Sequence, residues 1–205
     1  MILWGANTAG PAAAPGQYTV RLSVDGRQRS QPVAAVRNPM FANVTDDDLR
    51  AQFALAIQIR DRVSDANRAV IEIRRIKTEA AERTTKNANE RLKQVAATLT
   101  TSLSDVEDDI YQVKNQSGQD PLNFPIRINN RLANLLRVVN SGDGRPIANA
   151  PVLFAEYTRQ LEAQLTRLQQ VIDRDLAAFN AELRRLRLAP VETACVPGQT
   201  CRIAS

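Results

Sequence analysis

Phe154, Tyr157, Leu161, Leu165, Leu168, Ile172, Leu176, Phe179, Leu183 and Leu186 follow each other at spacings of 3 or 4 without interruption. Apolar residues at that period share one stripe of an α-helix. A stripe so long can be stable in water only when it is buried against other helices. It predicts a helix over about 150–188 and requires partner helices elsewhere in the chain.

Three further segments meet that requirement. Leu49, Ala56, Ile59, Val63, Ala66, Val70 and Ile73 form a coiled-coil-like seam, widened by Phe53, Ile57 and Ile76, and predict a helix over about 46–83. Thr45 is placed to cap it, and Asp46, Asp47 and Asp48 face the positive end of its dipole. Leu92, Val95, Leu99, Leu103, Val106, Ile110 and Val113 predict a second helix over about 87–114. Ile128, Leu132, Leu135 and Val139 predict a third over about 125–139. Short connections make neighbouring helices antiparallel. The expected fold is therefore mainly α: an antiparallel four-helix bundle over 45–188, in up-down-up-down order.

The chain before the bundle has a different period. Tyr18, Val20, Leu22 and Val24 alternate with polar residues, the mark of a half-buried strand, and Asp25-Gly26 suits a two-residue hairpin turn. A lone hairpin is marginal in water. Residues 1–38 accordingly read as the incomplete, C-terminal hairpin of a β-domain. Residues 189–205 form a tail. In it Cys195 and Cys201 enclose a Pro/Gly loop and suggest a small disulfide ring, with two unpaired thiols as the alternative. A paired bond would imply an oxidising compartment.

Chemistry is sparse. The chain has no histidine, which removes the commonest general base and metal ligand. No catalytic, cofactor-binding or metal-binding residue is assigned. Asp108 with Asp109, and Glu162, read as solvated helix residues rather than paired acids. Asn43-Val-Thr45 and Asn115-Gln-Ser117 match the short N-glycosylation pattern, but Thr45 already has a capping role. The net charge of +5 comes from 27 basic residues interleaved with 22 acidic ones. That distribution reads as a solvated helix face, not a nucleic-acid stripe. No stretch approaches the length of a membrane span, and residues 1–4 lack the features of a signal peptide.

The most distinctive stretch is 111–130, where Pro121, Pro125 and several amides crowd one helix–helix connection. Both prolines suit first-turn positions, Asp120 or Asn123 could cap, and Leu122 and Phe124 would plug the bundle end. Asn129 and Asn130 could bind a neighbouring loop. Asp120, Pro121, Asn123, Phe124, Pro125, Asn129 and Asn130 are thus read either as a rigid, hydrogen-bonded corner or as a docking surface.

Residues 120–130, with Trp4–Pro11 and Pro15–Gly26, resemble the C-terminal region of large bacterial BNR-repeat, sortilin-like β-propeller proteins labelled glycosyl hydrolases. The resemblance implies an Ig-like origin for the hairpin and an exported, periplasmic or extracellular protein. It also implies upstream propeller and Ig-like domains as partners. Self-association of the helical module is a separate expectation, apart from the resemblance. The glycan site of such proteins would lie in the propeller, so no catalytic residue transfers. The expected function is that of a non-catalytic structural and interaction module. The alternative is a free-standing helical adaptor that binds an acidic partner.

Overall fold

The computed structural model describes residues 10–87 and 89–193. The fold is mainly helical, with four principal helical segments preceded by a two-stranded antiparallel hairpin. Strands β1 (Gly16–Val24) and β2 (Arg27–Ala35) pair in the register Val24↔Arg27, Tyr18↔Val33. Asp25 and Gly26 both take positive φ, 50° and 76°, the geometry of the two-residue turn that matches strand twist.

Helix α1 (Asp46–Thr85) opens on a capping box. The Asp48 backbone N–H donates to the Thr45 hydroxyl at 3.2 Å, and the Thr45 backbone N–H donates to the Asp48 carboxylate at 3.1 Å. Helix α2 (Glu90–Ile110) is capped by Asn89, whose side chain accepts from Leu92 N–H at 2.9 Å. Helix α3 (Ile128–Val139) is shorter. Helix α4 (Ala150–Val171), a π-helical turn (Ile172–Leu176) and α5 (Ala177–Arg185) follow one another without leaving helical backbone angles. They make one rod, which carries the long stripe seen in the sequence. Every member of that stripe is buried or partly buried against the common core.

The helices are those expected, but their order in space is not up-down-up-down. Along α1, Arg74 and Lys77 meet Glu107 and Ser104 of α2, whereas Gln52 and Asn67 meet Val139 and Asn129 of α3. Both α2 and α3 therefore run antiparallel to α1, one after the other along its length. Together they form a single broken rod. The α4–α5 rod then returns antiparallel to it, with Arg167 against Asp105 and Arg91 against Glu182. It lies parallel to α1, as Arg62 beside Glu162 and Arg83 on the carbonyl of Ala189 show. The body is three rods thick, about 60 Å along α1 at 1.5 Å per residue.

Two local expectations are corrected by tertiary hydrogen bonds. Helix α2 ends at Ile110, not Lys114, because the Gln112 side chain accepts from Lys114 N–H at 3.3 Å and donates to the carbonyl of Pro125 at 2.9 Å. The same bond keeps Pro125 outside α3, so Arg127, not a proline, precedes the first turn. Among the described residues no helix is long and apolar enough to cross a membrane.

Candidate functional site

The connection 111–127 lies at the break in the middle rod, against the waist of the molecule. It does not close a bundle end. Leu122 is 69% exposed and plugs nothing. Pro121 sits in the first turn of a short 3₁₀ segment, Asp120–Leu122. Asp120 holds the loop together: its carboxylate accepts from Gln116 and Ser117 backbone N–H groups at 2.5 and 2.8 Å and from the Ser117 hydroxyl at 2.9 Å. The two backbone donors, then the hydroxyl, lower its pKa. Asn123 N–H closes the turn on the Asp120 carbonyl at 2.8 Å.

Phe124 lies under Lys114, whose ammonium is 5.6 Å from the ring centroid. Asn129 and Asn130 are buried, not displayed, and Asn129 donates to the Asn67 side chain at 3.4 Å. The seven residues thus form a hydrogen-bonded corner. Its outer surface offers Asn123, Pro125 and the exposed Leu122. Asn115 is buried within the same loop, so the acceptor side chain of its glycosylation pattern is not presented to solvent. Asp109 pairs with Arg167 at 3.4 Å and Glu162 lies 4.0 Å from Arg62, as expected of helix-surface acids. Cys195 and Cys201 lie outside the described residues.

Beside the corner the broken rod leaves a cleft of about 290 Å³ facing α4. Its walls are Asp109 at the end of α2, Arg127, Ile128 and Arg131 at the start of α3, and Arg159, Gln160, Ala163 and Gln164 on α4. Arg159 is paired with Glu156 at 2.7 Å. Arg127 and Arg131 make no ion pair among the described residues. These arginines do not stand out in the sequence, because basic and acidic residues are interleaved over the chain as a whole. One signal was available: between Asp120 and Asp143 the sequence holds Arg127, Arg131 and Arg137 and no carboxylate.

A second surface feature is the hairpin. Tyr18, Val20, Leu22 and Val24 stand on one face with Val33, and all are exposed, Leu22 to 63%. Arg27 and Arg29 stand opposite Val24 and Leu22 on that same face. No described helix packs over it. Tyr18 does anchor its own base, donating to the carbonyl of Ala14 at 2.7 Å.

These features define a helical protein with an appended, uncovered β-hairpin and an arginine-lined cleft. Comparison with protein-family models, curated proteins and solved structures finds no match to this chain.

Proposed function

We propose that this chain is a non-catalytic structural and interaction module, in which a rigid helical body carries a hairpin that completes a β-domain. The observation behind this reading is the hairpin's uncovered apolar face. Four aliphatic or aromatic side chains on nine-residue β1 alternate cleanly, yet they meet solvent. Alternation of that kind fits a strand with one buried face, and two strands alone do not supply the cover. The missing cover would be further β-strands.

The resemblance of residues 120–130 and of the hairpin region supplies the setting. On that reading the strands belong to an Ig-like domain next to the propeller of an exported BNR-repeat, sortilin-like protein labelled a glycosyl hydrolase. The helical body would support or dock those upstream domains, with the corner around Pro121 and Pro125 as a contact. Chemistry would reside upstream.

The test is the mass and location of the native polypeptide, blotted with an antibody raised against residues 120–130. A band several times larger than 22.6 kDa in the exported fraction is expected. A band near 22.6 kDa in the cytosol would overturn the reading.

A further inference from the structure

Two arginines stand where elementary electrostatics disfavours them. Arg127 and Arg131 flank the first turn of α3, the positive end of its dipole. They are one turn apart, a repulsive i,i+4 pair. Helix α3 has no acidic residue in its first turn and no side-chain cap. By contrast, α1 opens on Thr45 and three aspartates. Neither arginine has an ion-pair partner among the described residues, although the Asp109 carboxylate lines the same cleft.

The burial pattern sharpens the point. The Nε–H of Arg127 is shielded from solvent yet has no acceptor, and the Oε1 of Gln164 across the cleft is shielded and has no donor. An unmet donor on a charged group is costly. Such local rule-breaking concentrates at sites that bind something. The third guanidinium, Arg159, reaches the cleft from α4, and the Gln160 amide stands beside it. The Asp109 carboxylate lies on the α2 side and is already engaged by Arg167.

We infer that the cleft between α3 and α4 binds a small oxyanion through Arg127 and Arg131. A guanidinium fork presents paired N–H donors that match a carboxylate, sulfate or phosphate head. Ile128 and Ala163 line the rest of the space, which suits a compact neutral body. At about 290 Å³ the cleft holds a single small molecule rather than the surface of an acidic macromolecule. This inference is independent of the role of the hairpin, since it concerns only α2, α3 and α4.

The experiment is calorimetric titration of the whole chain with inorganic phosphate and, separately, with citrate, at low ionic strength. Arg131→Gln is the main variant, because the Arg131 side chain is exposed and its loss leaves the core intact. Arg127→Gln is the second. Arg50→Gln, which removes the same charge from the start of α1, is the control. Saturable binding of either anion at one site per chain is expected. It should weaken roughly tenfold or more in Arg131→Gln and Arg127→Gln and stay unchanged in Arg50→Gln. The anion that binds more tightly distinguishes a tetrahedral head from a planar one. Absence of saturable binding by both anions would overturn the inference, with water serving Arg127. So would equal weakening in Arg131→Gln and Arg50→Gln, or binding unchanged in both cleft variants.

Discussion

Arg74 of α1 donates from Nε to the Glu107 carboxylate of α2 at 2.6 Å, while its guanidinium covers the Tyr111 ring at 4.9 Å from the centroid. Glu107 is almost wholly buried, and Lys77 reaches its other oxygen at 3.1 Å. One carboxylate with two cations thus clamps α1 to the last turn of α2, just before the middle rod breaks at Tyr111. Removing one cation leaves the other in place. Removing both leaves a buried charge alone, which is the costly situation. Arg74→Met and Lys77→Met should each cost about 1 kcal/mol, and the double variant should cost more than their sum by about 1 kcal/mol or more. Urea denaturation of the four proteins of the cycle measures the excess. Simple additivity would mean that the clamp does not act as a unit.

Asn180 on α5 holds the chain that leaves the last rod. Its Nδ2 donates to the Val191 carbonyl at 2.9 Å and its Oδ1 accepts from Val191 N–H at 2.8 Å, both buried. Asn180→Ala leaves a buried donor and a buried acceptor of Val191 unmet. The loss should be about 2 kcal/mol, and the Val191 amide should lose its protection from hydrogen exchange. Retained protection would show that the segment is held some other way.

Leu168 lies at the centre of the long stripe and is fully buried. Leu168→Ala should destabilise by about 2–5 kcal/mol. Leu168→Asp places an unpaired charge in the core and should abolish the cooperative helical transition seen by circular dichroism. A melt identical to that of the parent would be incompatible with the packing described.

Two surface carboxylates link stability to acid. The Arg145 side chain, then Thr45, lowers the Asp48 pKa from 3.8 to about 2, and the Arg159 side chain, then Gln160, lowers that of Glu156 from 4.5 to about 2. In each the folded-state value is depressed. Their contribution is therefore full above the ordinary carboxylate range and is lost as pH falls from about 4 towards 2. The melting temperature of Asp48→Asn, Glu156→Gln should sit below that of the parent at pH 6 and converge on it near pH 2. A gap constant across that range would assign the effect to something other than ionisation. Both groups are on the surface, so the gap should also narrow in high salt.

Hairpin and body should respond separately. Val20→Lys with Leu22→Lys adds charge to a face that meets solvent, away from the helical core. The helical melting transition should move by less than about 0.5 kcal/mol in equivalent stability, as for substitutions remote from buried features. Co-purification of the chain with any β-partner should be lost. A large fall in helical stability would mean that the hairpin supports the body.

The positions of the helices were legible in the sequence because their information is local. The stripe from Phe154 to Leu186 repeats at 3 or 4 whatever the neighbours are, and Thr45, Asn89 and Asp25-Gly26 act through bonds or torsions within a few residues. Even the π-helical turn at Ile172–Leu176 leaves no trace in that spacing. The direction taken between α2 and α3 was not local. A short loop would have reversed the chain, but 111–127 is long enough to carry it onward, and what holds it there is distant: Gln112 on Pro125, Asn129 on Asn67, Gln52 on the Val139 carbonyl at 2.7 Å. Only that tertiary arrangement turned an expected end-plug into a mid-body corner and set Arg127 and Arg131 across from Arg159. Periodicity determines which face of a helix is buried. Which helix it is buried against, and what the gaps between helices collect, depends on hydrogen bonds and packing between residues far apart in the chain.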